Sequence, residues 1–290
     1  MNKVMKKLGQ KVNDLLVKKN GPKLLAEAAQ GPLRLRLDHF GLARRFLVVD
    51  PIPPLVDMAM YERGKQIVPL WTESGPIVLD KSKKNVWVPE FRIEDKILLS
   101  KSKMPQVVEV LNKKIAYCEM DLLLSLFKCS VTICKQTVTH GLKKGLLKAI
   151  RLVERHDLKV REILMNKEMY LSLVRVYGKF FEHEIEQELS TTGWMGCLWG
   201  AEIYVNEQVP KGKLYCCAEP ERLGVMPMYE DPVIEAQWRG KKLEVMAIER
   251  VGMAIVNISG VSELTIGRPK IKCEVKKVLK KARKYIEVTK

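Results

Sequence analysis

Cys216 and Cys217 stand side by side in YCCAEPERLGVMP, Tyr215 to Pro227, and adjacent thiols invite a redox or metal reading. Their spacing argues against both. KLYCC reads as a strand, and a strand sends successive side chains to opposite faces. The two sulfurs then diverge and cannot share a metal, and a disulfide between neighbours is strained. The expected role is structural, with one thiol buried and the other open to a second layer or to a thiol of another subunit. Cys118, Cys129, Cys134, Cys197 and Cys273 form no CxxC pair and no Cys–His set with zinc spacing. Free thiols in a reducing compartment fit that pattern. His183 in FEHEIEQE has Gln187 where a zinc-protease helix needs its second His, so a solvated acidic helix face is the simpler reading. His39, His140 and His156 have no spaced ligand partners. GLKKGLLK, Gly141 to Lys148, lacks the spacing and the final Ser/Thr of a phosphate loop, and Gly193, Gly196 and Gly200 do not make a dinucleotide fingerprint. No catalytic set converges, so neither enzyme activity nor a cofactor is expected.

The elements that carry these residues belong to a chain of 290 residues, 47% hydrophobic and 29% charged, which is ordinary for a globular protein with a real core. No apolar run reaches the roughly 18 residues of a membrane span. MNKVMKKLGQKVNDLLVKKNGPK is basic but lacks the apolar core and cleavage site of a signal peptide, so a cytoplasmic product is expected. The formal net charge is +17, and its placement is uneven. Residues 1–23 hold seven Lys and one Asp, and residues 269–290 hold nine Lys/Arg and two Glu, leaving the middle close to neutral. Basic ends on such a body suit a polyanion through a sequence-independent phosphate attraction. Solubilising tails are the plain alternative.

Residues 3–30 read as two short helices broken at NGP, where Gly stops one and Pro22 starts the next. LRLRLDHFGLARRFLVVDPIPP alternates and then extends, as an arm would. Residues 61–100 read as one long hairpin with a basic tip at DKSKKN, bearing Lys81, Lys83 and Lys84. Trp71 and Trp87 on that hairpin suit a contact with another subunit, with packing on its own body as the alternative. Val108, Leu111, Ile115, Cys118, Leu122, Leu126, Cys129 and Ile133 recur every three or four residues. They predict a helix over 106–138, about 50 Å long. A second helix follows over 142–155, then a strand at KVREILM and a helix capped by Asn166. TTGWMGCLWG reads as a Gly-rich loop. AEIYVNEQV, GKLYCCAEP and LGVMPMY read as short strands, and 241–266 as a long strand pattern with a Gly-rich break. The class is α+β.

In that order the elements resemble the Hong Kong 97-like major capsid proteins of tailed double-stranded DNA phages. The motifs are MNKEMYLSLVRVYG, TTGWMGCLWGAEIYVNEQVPKGKLYCCAEPERLGVMP and IERVGMAIVNISGVSELTI, over about residues 160–266. Lys167 replaces the usual Pro at a helix start. The resemblance implies an N-terminal arm over 1–58 and an E-loop over 59–104. It implies a P-domain spine helix with its following helix over 105–157, and an A-domain over 158–228. Strands returning to the P-domain and the A-domain edge take 229–268, and a basic tail takes 269–290. It implies a structural subunit, arranged as hexamers and pentamers, that self-assembles in the host cytoplasm. The product is an icosahedral virion capsid around double-stranded DNA, with no membrane. Lys3, Lys6, Lys7, Lys11, Lys276, Lys277, Lys280, Lys281, Arg283 and Lys284 become the DNA-facing candidates. Some members cross-link an E-loop Lys to an Asn of a neighbour; Asn257 is the conceivable acceptor here, but no motif fixes an Asn–Glu geometry. No acidic, coiled-coil-like leader precedes the arm, so a separate scaffolding protein is expected, along with a portal. Two other readings stand beside this one: an encapsulin-like cellular nanocompartment shell, and a monomeric basic nucleic-acid-binding protein.

Overall fold

A computed structural model describes residues 21–53, 56, 58–62, 67–79, 85–99, 106–177, 193–240 and 242–266. The ten DNA-facing candidates lie outside the described residues, as do Lys81, Lys83, Lys84, His183 and Cys273.

Helix α1 (Gly21–Phe40) runs through the segment whose sequence reads as alternating. Ala26, Ala29, Leu33 and Leu37 are buried at helical spacing, while Leu35 is 60% exposed. A strand would put Leu33, Leu35 and Leu37 on one face. Pro32 lies inside the helix and removes one donor. Burial of Leu33 and Leu37, about 1.5–3 kcal/mol each, offsets that loss. The short helix α2 (Ala43–Phe46) and strand β1 (Val48–Pro51) follow.

The single long hairpin is replaced by two ribbons. Strands β2 (Met58–Glu62), β3 (Val68–Thr72), β4 (Gly75–Leu79), β5 (Asn85–Pro89) and β6 (Phe91–Leu99) occupy this region. β3 pairs with β4 around Glu73–Ser74, and β2 pairs with β5. Gly75 takes a φ of 108°, and Thr72 Oγ1 donates to its carbonyl at 2.8 Å. TESG therefore closes a tighter turn than DKSKKN, and the strands flanking DKSKKN pair elsewhere.

Helix α3 (Val107–Cys134) is the longest of the described helices, about 42 Å at 1.5 Å per residue. Lys135 ends it in the left-handed conformation, φ 52°, four residues earlier than 106–138 anticipates. After it come β7 (Thr137–His140), α4 (Leu142–Glu154), β8 (Val160–Met165) and α5 (Lys167–Tyr177). Asn166 caps α5, its Oδ1 accepting from Met169 N at 2.8 Å. Then come β9 (Trp194–Leu198), β10 (Ala201–Val205), β11 (Lys213–Ala218) and α6 (Pro220–Leu223). The chain continues with β12 (Val225–Arg239), β13 (Lys242–Val251) and β14 (Val261–Ile266). Two sequence readings change. WMGCL is a strand rather than loop, because it pairs antiparallel with β10 across the turn at Trp199–Gly200. LGVMPMY is only the start of a 15-residue strand. Register shifts between Met228 and Val233 accommodate Pro232, which has no N–H to give the ladder.

A six-stranded sheet, ordered β7-β14-β11-β8-β10-β9, is covered on both faces. On one face Leu146, Ala149 and Val153 of α4 and Leu173 of α5 share a core with Ile163, Ile203, Leu214 and Cys216. On the other, Leu164, Tyr204, Tyr215 and Cys217 join the core built on α1, α2 and α3. Phe127 lies between Phe46 and Tyr215, at 5.9 and 5.7 Å between ring centroids. Cys216 and Cys217 do face opposite layers, but both are fully buried. The expectation of one accessible thiol fails because β11 is central and both its faces are packed, which also removes the disulfide to another subunit. A four-stranded sheet, ordered β1-β12-β13-β6, turns Ile93, Ile97, Ile234, Val245 and Ala247 toward the same α1–α3 core.

The register of α1 is directly testable. Leu37→Ala is expected to cost about 2–5 kcal/mol, and Leu35→Ala to stay within about 0.5 kcal/mol, in chemical denaturation. Equal losses at both positions would indicate a strand.

Candidate functional site

The β2–β5 ribbon has two unlike faces. Val86 and Val88 are buried against Val68, Leu70 and Ala254, and Ala59, the cross-strand partner of Val88, is buried too. Met58, Met60 and Trp87 point the other way, each about half exposed at 51%, 53% and 51%. Met60 and Trp87 are direct cross-strand partners, so their side chains form one apolar strip. Ile77 and Val78 on the neighbouring ribbon are also exposed. Flexible Met beside a rigid aromatic is the composition of an adaptable protein contact.

The ribbons are pinned to the body at several points. Tyr229 OH accepts from Ala59 N at 2.8 Å and donates to the Val88 carbonyl. Tyr61 OH donates to Asp50 Oδ2 at 2.7 Å, and burial followed by that bond pushes the Tyr61 hydroxyl pKa up, keeping it a donor. Trp71 N donates to the Met253 carbonyl at 2.9 Å, and its ring lies 6.3 Å from Phe91. Of the two hairpin tryptophans, Trp71 thus packs half-buried on its own chain, whereas Trp87 stands outward. Asn257 uses its side chain locally, accepting from Ser259 N at 3.1 Å at the start of the Ile258–Gly260 turn.

Behind the ribbons lies a buried ionic joint. Arg44 of α2 donates through Nη1 to Asp38 of α1 at 2.7 Å and through Nε and Nη2 to Glu119 of α3 at 3.0 and 2.8 Å. Its Nη2 also donates to Glu249 of β13. Glu119 and Glu249 are both fully buried. Burial, and then the charge of Glu119, hold the Glu249 carboxyl well above the usual range. The sequence carries a faint signal: Glu249 interrupts an apolar strand at an inward position. A second buried acid, Glu162 of β8, sits opposite Glu202 of β10. Burial, and then Glu202, push Glu162 up to about 8. Glu202 itself accepts from Tyr204 OH at 2.5 Å and from Arg161 Nη2 at 3.2 Å. Among the described residues no three His, Cys, Asp or Glu side chains gather to hold a metal ion, and no described helix is long and apolar enough to cross a membrane.

No family model matches the sequence, and no curated protein matches it. Solved structures do match. A virus-like particle protein from Pyrococcus furiosus aligns with TM-score 0.50 at 14% identity, covering 82% of this chain and 98% of that one. A putative capsid protein of an E. coli CFT073 prophage aligns with TM-score 0.50 at 7% identity, covering 80% and 94%. The chain has a capsid-protein fold. A structure from Mycobacterium phage Adephagia agrees, with TM-score 0.52 at 9% identity over 79% of this chain and 90% of that one. At these identities the likeness is one of fold.

Both raised carboxyls give stability the same pH sign. Between the ordinary Glu value of about 4.3 and the raised native value, the folded chain holds a proton that the unfolded chain has released. Stability therefore falls as pH rises through that window. The melting temperature is expected to decline from about pH 5 upward. Glu162→Gln should remove the part of the decline that lies below about pH 8, and Glu249→Gln should lessen the decline in the same direction. Slopes unchanged in both variants would contradict the assignment.

Proposed function

We propose that this chain is a phage major capsid protein, the repeating subunit of an icosahedral shell around double-stranded DNA. The observation that carries the reading is the capsid fold, spanning nearly the whole length of the solved structures it matches. The exposed Met58–Met60–Trp87 strip supports it, because a shell needs repeated contact surfaces on extended elements. In this reading residues 1–58 act as the N-terminal arm and 59–104 as the E-loop. Residues 105–157 give the P-domain spine with its following helix, 158–228 the A-domain, and 229–268 the returning strands. Subunits gather as hexamers and pentamers in the host cytoplasm, aided by a separate scaffolding protein and a portal. The basic ends, including Lys3, Lys6, Lys7, Lys11 and the Lys276–Lys284 cluster, neutralise phosphate without reading bases. The subunit's work is structural rather than catalytic.

The strip gives the test. Met60→Ser with Trp87→Ser removes exposed apolar contacts and leaves the buried face of the ribbon intact, so the melting temperature should hold within a few degrees. Sedimentation velocity should show large particles for the wild type and mostly small species for the variant. Equal assembly of the two proteins would remove the strip from the contact, and enzyme cargo with no nucleic acid in purified particles would favour the nanocompartment alternative.

A further inference from the structure

Helix α4 carries a row of cations that the tails do not explain. Lys144, Lys148, Arg151 and Arg155 are all exposed. At 100° per residue the four fall within an arc of about 60°, and they span about 16 Å along the axis. No acidic residue falls within that arc; Glu154 and Leu147 flank one edge. Residues 135–160 hold seven Lys/Arg against Glu154 and Asp157, net +5. The whole of residues 24–268 nets only +4, so the rest of the body is slightly acidic and its positive excess sits here.

The row is also unpaired. Arg34, Arg92, Lys113, Lys114, Arg161 and Arg250 each meet a carboxylate. None of the four α4 side chains has an ion-pair or hydrogen-bond partner among the described residues. Four like charges at successive helical turns repel one another, so an external anion would lower their energy. The helix beneath them is rigidly seated. Leu142, Leu146, Ala149 and Val153 are buried on the opposite side. Gly145 lies so close to β14 that a Cβ there would sit 2.5 Å from Leu264 Cδ1. Tyr177 OH donates to the Lys143 carbonyl at 2.8 Å.

We propose that this row is a phosphate track, binding the backbone of duplex DNA and marking the inner face of the shell. The inner-face part rests on the capsid reading; the phosphate track does not. A duplex strand presents a phosphate about every 3.4 Å of axis, so the row can run beside about five of them. Its uninterrupted charge suits a uniform polyanion better than the mixed surface of a protein partner.

The test uses the full chain, kept dilute and unassembled, with a short random-sequence duplex followed by fluorescence anisotropy across a salt series. Wild type is compared with Lys144→Gln/Lys148→Gln/Arg151→Gln/Arg155→Gln. Both are repeated in a background where the ten basic tail candidates are Gln. Neutralising four phosphate contacts should flatten the slope of log K against log salt by about 3.6 in either background. The variant should melt as wild type does, since all four side chains are exposed. An unchanged slope, or no duplex binding by the wild type, overturns the proposal. So does a variant that loses particles in electron micrographs while its slope is unchanged, because the row would then be a contact between copies. A wild type that binds with the expected slope but never forms particles defeats the capsid reading and leaves the track standing.

Discussion

Arg44 reaches from a four-residue helix to carboxylates on α1, α3 and β13, and the layered arrangement of the chain depends on that reach. Two buried glutamates facing one guanidinium carry too much negative charge unless one of them keeps its proton. Glu249 is the one whose carboxyl is held well above the usual range. Removing one partner of such a buried set typically costs about 3–5 kcal/mol, because the remaining charge is stranded away from water. The joint therefore fixes position at least as much as it adds stability. It sets where α1 and α2 lie against α3, and β13 in turn pairs with β6, which follows the ribbons in sequence.

From that fixed body the ribbons extend with one face spent and one face available. Ala59, Val86 and Val88 satisfy the chain's own packing, while Met58, Met60 and Trp87 leave apolar surface in water. A monomer has no use for such a strip, whereas a subunit repeated by symmetry buries it once per contact. Charge is divided in a comparable way. Several exposed cations of the body, among them Arg34, Lys113, Arg161 and Arg250, have carboxylate partners, and among the described residues the row on α4 has none. On the proposed reading, apolar surface on the ribbons and unpaired charge on α4 divide two roles, contact with copies and contact with phosphate, between different elements.

Much of this was legible before any coordinates. The long helix α3 follows from Leu111, Ile115 and Leu126 at helical spacing, and the divergence of Cys216 and Cys217 follows from their place in a strand. The α1 helix was hidden by its own arginines: LRLRL satisfies a period of two as well as a period of four, and only burial of Leu33 and Leu37 beside an exposed Leu35 decides between them. The ribbons were hidden by two competing turn signals, of which TESG, with Gly75 at positive φ, joins the β3–β4 pair. The ionic joint was almost invisible, because Asp38, Arg44, Glu119 and Glu249 are brought together only by the tertiary fold. The α4 row was visible in GLKKGLLKAIRLVER, but the more heavily charged ends drew the electrostatic reading to themselves.

The central claim is that this 33.2 kDa chain builds closed shells through its own surfaces. Electron microscopy of the purified full-length protein tests it most directly. The account predicts closed particles of uniform diameter with icosahedral symmetry. A protein that stays a 33.2 kDa monomer at every concentration and salt condition would contradict it.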